Sequence, residues 1–165
     1  MGLTKQWVSA LGAVLLAFSA VSVQAETPQR GGTLVWSIGT TPRHLNPAVQ
    51  SGIATGAPGA QLFATLVRFD DKWNANPYLA KSWQTSDDGL AVTFNLVEGA
   101  TFHDGTPITS KDVAFSIKTI KANHPFKTMF RAVSSVETPS PNTVVFKLSK
   151  PHPALMLALS SQLGS

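Results

Sequence analysis

Cysteine is absent from this 165-residue chain, which excludes a disulfide framework, a thiolate metal site and a cysteine nucleophile. The same absence excludes a lipid-modified amino-terminal cysteine as a surface anchor. Charged residues are also scarce, at 13% of the chain, whereas apolar residues make up 43%. This balance is typical of a globular protein and unlike that of a disordered chain. The length is sufficient for one domain with a hydrophobic core.

Signatures of catalysis and of metal binding are missing as well. The acidic pairs Asp70-Asp71 and Asp87-Asp88 lie in turn sequences, whereas paired catalytic carboxylates need a defined separation across a cleft. No serine occupies a G-x-S-x-G elbow, and the four histidines are never spaced i, i+4. The glycines around Gly56 are not followed by the Lys-Ser or Lys-Thr pair of a phosphate-binding loop. We therefore expect no enzyme, no cofactor and no metal site.

Basic residues outnumber acidic residues by 13 to 9, which gives a formal charge of +4. A basic balance can indicate nucleic-acid binding, but only where the charges cluster on one face. Here they are scattered, and three of the densest group fall on the solvated side of a predicted helix. That group comprises Lys111, Lys118, Lys121, Lys127 and Arg131. No nucleic-acid partner is expected.

Residues 1–25 have the three parts of a secretory signal peptide. Lys5 supplies the positive start, Val8–Val21 is an apolar run, and Val23-Gln24-Ala25 places small residues where a signal peptidase reads them. A membrane anchor is the alternative, but the apolar run is shorter than the roughly 20 residues that a span needs. We expect cleavage before Glu26 and export from the cytoplasm.

The segment Asn76–Ile117 predicts a β-hairpin and then a capped helix. Ser86–Gly89 has the composition of a tight turn, and apolar residues alternate along the strand that follows. Thr109 lies three residues before Asp112, which predicts a capping box at the start of a helix. The apolar face of that helix is Val113, Ile117 and Ile120.

Residues 51–60 form an unusual run of small side chains, with three glycines and no charge. One interpretation is a flexible loop that leads into a helix beginning at Pro58. The other is that bare backbone N–H and C=O groups face a ligand, because glycine lets another chain approach closely. The residues themselves leave both interpretations open.

The remaining patterns predict a mixed α/β protein. We expect a first strand over Thr33–Ile38, a helix over Gln61–Leu66 with Leu62, Phe63 and Leu66 facing inward, and a short strand over Leu66–Phe69. His124-Pro125 should end the central helix. A second hairpin is expected over residues 133–148, followed by an apolar helix over Ala154–Leu159.

The motifs occur in a fixed order along the chain. The central series is LAKSW, DDG, TF-x-L, HDGTP and DV-x-F-S, and it is flanked by Gly31–Leu34, Leu45–Pro47, Leu62-Phe63, Val136–Pro139, Val144–Leu148 and Pro151. This ordered series resembles the family 5 extracellular solute-binding proteins, which are the peptide, opine and nickel receptors of ABC importers.

The resemblance implies a two-lobed, periplasmic-binding-protein-like (type II) fold. Residues 26–50 would be the opening strand and loop of lobe I, and residues 51–165 the small β-rich subdomain with the start of the next segment. The family's ligand-contacting loop, which follows the L-[DN]-P motif, falls on Ser51, Gly52, Ile53 and Ala54. In the family the central signature is structural, so Trp83, Phe94, His103 and Asp104 are expected to form the fold.

The function implied is that of a periplasmic receptor that captures peptide-like solutes and delivers them to the membrane permease of an ABC importer, acting as a monomer. Opines, nickel chelates and other small solutes remain open. The alternative from another class is a secreted α/β structural or interaction domain that binds no ligand. A secreted hydrolase is a third possibility.

Overall fold

The computed structural model describes residues 31–161. The chain divides into two units, residues 1–36 and 37–165, and the first of these is described only at residues 31–36. The predicted signal peptide at residues 1–25 lies outside the described residues. Among residues 31–161, no helix has both the length and the apolar character required to cross a membrane.

The second unit contains six strands and three α-helices within the described residues. In chain order these are α1 (Ile53–Leu62), β1 (Val67–Phe69), β2 (Ala75–Pro77), β3 (Ala80–Thr85), β4 (Ala91–Leu96), α2 (Ser110–Asn123), a 3₁₀ turn (Lys127–Phe130), β5 (Val133–Ser140), β6 (Thr143–Leu148) and α3 (Leu155–Ser160). Strands β1 and β2 form a two-stranded sheet, and the other four form an antiparallel sheet in the order β3-β4-β6-β5. The prediction of a mixed α/β protein is confirmed.

Both predicted hairpins are present, because in each of them a sequence that favours a tight turn precedes a strand in which apolar residues alternate. The backbone N–H of Gly89 donates to the carbonyl of Ser86 at 2.8 Å, and Gly89 takes the positive φ of 68° that this turn requires. Strand β4 then alternates between half-buried and buried residues, with Phe94 fully buried. Strand β6 shows the same alternation and pairs with both β4 and β5.

Helix α2 begins and ends as the sequence predicts. The Asp112 carboxylate accepts the Thr109 backbone N–H at 2.7 Å and the Thr109 hydroxyl at 2.8 Å in the capping box. At the other end, His124 has extended backbone angles, because the following proline disfavours the helical conformation. Between these ends, Val113, Ile117 and Ile120 are buried, and the helix packs against β5 and β6.

The core consists of aromatic and aliphatic side chains of the strands and of the helices that pack against them. The rings of Phe94 and Phe146 meet edge to face, with centroids 5.4 Å apart, and Trp83 lies 6.4 Å from Phe94. Helix α3 adds Leu155, Ala158 and Leu159 to this core, in agreement with the predicted apolar helix.

Two predictions on local structure are wrong. Thr33–Ile38 is not a strand, because no described strand offers it the backbone partners that a strand needs. The predicted helix over Gln61–Leu66 instead occupies Ile53–Leu62, so Pro58 lies inside the helix and does not start it. Of the three residues predicted to face inward, Leu66 is buried in the core, whereas Leu62 and Phe63 remain 42% and 44% exposed.

Candidate functional site

The four residues predicted to contact a ligand lie at the amino-terminal end of α1. Gly52 is the residue before the helix and has a φ of 103°, which favours glycine. No side chain caps this helix end. The first turn therefore leaves the N–H groups of Ile53, Ala54 and Thr55 without an acceptor inside the helix, whereas Gly56 donates to the Gly52 carbonyl at 2.8 Å.

This helix end opens on a pocket of about 390 Å³, which we call the glycine pocket. Its lining residues are Ser51, Gly52, Ile53, Gly56, Ala57 and Phe126. Three of the four predicted ligand-contacting residues are thus brought together, and Ala54 is not among the lining residues. Because most of the lining is glycine, alanine or serine, backbone groups form much of the surface that a ligand would meet.

The chain before the glycine pocket is held by a few polar contacts and one tight apolar contact. The Asn46 side-chain oxygen accepts the Ala48 backbone N–H at 2.9 Å, which is an Asx turn. The buried Thr55 hydroxyl donates to the His44 carbonyl at 3.3 Å. A Cβ added at Gly59 would lie 3.0 Å from the Pro47 ring, so glycine permits this close approach.

Phe126 belongs to the glycine pocket although it follows the helix α2, some seventy positions further along the chain. Its ring centroid lies 5.6 Å from that of His124, and its backbone N–H donates to His124 Nδ1 at 3.0 Å. His124 is fully buried, and burial holds the pKa of its imidazole below the ordinary value. The sequence identified His124 only as part of a helix end and did not identify Phe126.

A second, apolar cavity of about 450 Å³ lies between α1, α2 and the loop that precedes α2. Its walls are large side chains, and polar groups are few: Thr101, His103, Asp112 and Ser116 line part of it. Asp112 is already engaged in the capping box. The partly exposed rings of Phe63 and Phe102 contribute to the lining of this cavity. Its surface is therefore formed by apolar side chains, whereas backbone groups form much of the surface of the glycine pocket.

The HDGTP motif forms a turn, as expected of a structural element. Asp104 accepts hydrogen bonds from the Thr106 hydroxyl at 2.7 Å and from the Thr106 backbone N–H at 2.9 Å. These bonds lower the pKa of the Asp104 carboxyl. Gly105 follows with a φ of 86°. Among residues 31–161, no cluster of three or more His, Asp or Glu side chains could hold a metal ion.

Comparison with known proteins identifies a family and several relatives. The family described as bacterial extracellular solute-binding proteins, family 5 (middle region), matches residues 74–165. A Brucella ovis protein described as an ABC transporter peptide-binding protein is 33% identical over 164 residues, which covers 94% of this chain and 31% of the relative. The chain therefore spans about a third of the length of the curated relatives that it matches.

Solved structures show the same arrangement of elements. Campylobacter jejuni NikZ, in complex with Ni(L-His), is 35% identical with a TM-score of 0.67 over 76% of this chain and 25% of NikZ. AgaA of A. tumefaciens R10, in complex with agropinic acid, is 32% identical with a TM-score of 0.69 over 74% of this chain and 26% of AgaA. The prediction of a periplasmic-binding-protein-like fold, present here in part, is confirmed.

Proposed function

Since this chain belongs to the bacterial extracellular solute-binding proteins of family 5, we propose that it forms part of a receptor that captures peptide-like solutes for an ABC importer. The observation that supports this proposal most strongly is the glycine pocket. Its open backbone donors at the start of α1 lie on the residues that the family resemblance had assigned to the ligand.

Pairing of backbone with backbone explains how such a pocket would hold a peptide. The N–H group of Ile53, which lines the pocket, has no acceptor within α1 and can donate to a carbonyl or carboxylate oxygen of a solute. Small residues at 51, 52, 56 and 57 leave room for the solute backbone to approach. Bonds to the main chain give affinity without selecting side chains, as in strand addition.

The solutes named for the relatives suit this mode of recognition. The Brucella relative is described as binding peptides, and the solved complexes of NikZ and AgaA contain Ni(L-His) and agropinic acid. Backbone N–H donors bind an acceptor oxygen whatever side chains the solute carries, so they do not distinguish these classes of solute. We favour peptides because a relative that aligns with 94% of this chain is described as a peptide-binding protein.

The remaining assignments follow from the sequence and from the family. We place the receptor in the periplasm after cleavage of residues 1–25, with residues 26–50 opening lobe I and residues 51–165 forming the small subdomain and the start of the next segment. Its partner would be the membrane permease of the importer, and it would act as a monomer without nucleic acid. Binding and not catalysis is proposed as its activity.

Isothermal titration of the longest protein that the gene encodes tests this function, with a pool of synthetic tri- and tetrapeptides as the probe. Gly52→Ala places a side chain at a φ of 103°, and Gly99→Ala is the matched control, with a φ of 74° and equally no atom within 4 Å of the added Cβ. We expect peptide affinity to fall about tenfold for Gly52→Ala, because one or two backbone bonds are displaced. Affinity should not change for Gly99→Ala.

Two results would contradict the proposal. One is an absence of binding heat with every peptide in the pool, which would favour a secreted structural domain. The other is an equal loss of affinity in the Gly52 and Gly99 variants, which would show that strain and not position causes the loss.

A further inference from the structure

The glycine pocket has two large side chains in its lining, and both of them are apolar. These are Ile53, which is 68% exposed, and Phe126, which is 50% exposed, so a solute can reach both. The other lining residues are glycine, alanine or serine, and none of the lining residues carries a charge. A solute side chain that enters this pocket therefore meets apolar groups and no ionic partner.

Phe126 is the aromatic wall of the glycine pocket, and its backbone is held on both sides. Its N–H donates to Nδ1 of the buried His124 at 3.0 Å, and its carbonyl accepts the Met129 N–H at 3.0 Å. Met129 is held in turn, because its carbonyl lies 2.9 Å from Nε2 of His152. Hydrogen bonds thus fix the Phe126 backbone and the short turn that follows it.

The phenyl ring of Phe126 is supported as well as its backbone. Its centroid lies 5.6 Å from that of the His124 imidazole, at an interplanar angle of 52°. A separation of this size is typical of aromatic rings in favourable contact. The ring therefore rests against a buried neighbour, although half of the residue remains exposed. A side chain held in place before binding loses little conformational freedom when a solute packs against it.

The backbone of the pocket and its apolar side chains select different features of a solute. A backbone N–H binds a main-chain oxygen whatever side chain the solute carries. An apolar wall favours a side chain that can leave water without loss, whereas a charged side chain would be desolvated without a partner among the lining residues. Of the two apolar walls, Phe126 offers the larger and more rigid surface compared with Ile53.

We propose that Phe126 is the specificity-determining residue of the glycine pocket and selects peptides with an aromatic or aliphatic side chain over peptides with a charged one. This proposal rests on the proposed function, because it names the class of peptide that the same site would take. The peptide main chain would accept the open N–H of Ile53, and its apolar side chain would pack against the Phe126 ring.

Isothermal titration of the longest protein that the gene encodes tests this selection. The probes are trialanine and the tripeptides in which phenylalanine, glutamate or lysine replaces one alanine, at each position in turn. We expect the best phenylalanine peptide to bind about tenfold more tightly than trialanine, as one aromatic contact implies, and the charged peptides to bind no more tightly than trialanine. Phe126→Ala should abolish the advantage of phenylalanine. Phe126→Leu keeps an apolar wall and should retain part of it.

Phe102→Ala is the matched control. Phe102 is 42% exposed and lines the apolar cavity but not the glycine pocket, so its replacement should leave the advantage of phenylalanine unchanged. Because Phe102 and Phe126 are both partly exposed, neither alanine variant should unfold the protein, and urea midpoints check this.

The inference is overturned if the advantage of phenylalanine persists in Phe126→Ala, if Phe102→Ala loses it equally, or if the charged peptides bind the unaltered protein as tightly as the phenylalanine peptides. An absence of binding by every peptide overturns the proposed function and this inference together. Binding that Gly52→Ala weakens, but that shows no preference for phenylalanine, would retain the glycine pocket as the peptide site and reject only the selection by Phe126. The two proposals therefore fail separately.

Discussion

Two regions of this structure are stabilised by different kinds of contact. We call strands β3–β6 with helix α2 the sheet layer, and residues 42–62 the loop segment. The sheet layer buries Phe94, Phe146 and the apolar face of α2. The loop segment has small contacts instead, namely single polar bonds such as that from Thr55 to His44 and the close approach of Gly59 to Pro47. The sheet layer therefore supplies stability, and the loop segment supplies exposed backbone.

This difference agrees with the needs of a binding site. A ligand-contacting loop must leave donors and acceptors free, so it cannot use them all for its own stability. Within the loop segment, Gly59 approaches the Pro47 ring closely, and Phe126, which follows the helix of the sheet layer, lies across the glycine pocket from residues 51–57. Stability and recognition are thus assigned to different residues.

The largest effect should come from the centre of the sheet layer. Phe94→Ala removes a fully buried ring that contacts Phe146 and Trp83, and should lower the free energy of unfolding by about 3–5 kcal/mol. The matched control is Phe115→Ala, because Phe115 is 70% exposed on α2 and should change stability by less than about 0.5 kcal/mol. Urea unfolding measures both. Equal losses would contradict the claim that burial of apolar side chains in the sheet layer supplies its stability.

A smaller effect should follow from the start of α2. Thr109→Ala removes the hydroxyl of the capping box and should destabilise the chain by about 1 kcal/mol. Thr119→Ala is the control, because its hydroxyl bonds the Phe115 carbonyl within the helix, where alanine is at least as favourable. If both variants lose the same stability in urea unfolding, the cap is not the cause.

The smallest effect concerns pH and involves His124. Its pKa in the folded chain is below the ordinary value of 6.5, so the unfolded chain takes up a proton first as the pH falls. Stability should be complete above about pH 6.5 and should decrease below it, until the pH passes the folded pKa. The exposed carboxylates with lowered pKa, such as Asp88 and Asp104, lose their contribution only below their ordinary value of 3.8.

Urea midpoints at about pH 5 and about pH 7.5 measure this effect. The decrease toward pH 5 should be smaller in His124→Asn than in the unaltered chain. His152→Asn serves as the control, because His152 is a partly buried histidine whose Nε2 lies 2.9 Å from the Met129 carbonyl, and this variant should retain the decrease. An identical pH dependence in the unaltered chain and in His124→Asn would show that burial of His124 does not cause it.

The sequence predicted the sheet layer well because its signals are local. Alternation at Val92, Phe94 and Leu96, the turn at Gly89 and the capping box at Thr109 each depend on residues within a few positions. The strand at Thr33–Ile38 was predicted wrongly, because a strand also needs a partner that its own residues do not specify.

Prediction was weaker in the loop segment. Helix α1 contains two glycines and a proline, so it lacks the apolar period that marks a helix and was placed too late in the chain. The residues assigned to the ligand came from the family resemblance and remain a prediction. Phe126 could not be found, because its approach to Ser51 and Gly52 depends on the folded arrangement of residues far apart in sequence.

The measurement that tests the proposed receptor most directly is hydrogen–deuterium exchange of the longest gene product, with and without a saturating pool of tri- and tetrapeptides. If the glycine pocket holds the peptide backbone, exchange should slow at residues 51–57 and near Phe126, while the apolar cavity around Phe102 should be unaffected. Slower exchange only at the apolar cavity, or no change at residues 51–57 despite peptide binding, would contradict the assignment of the peptide to the glycine pocket.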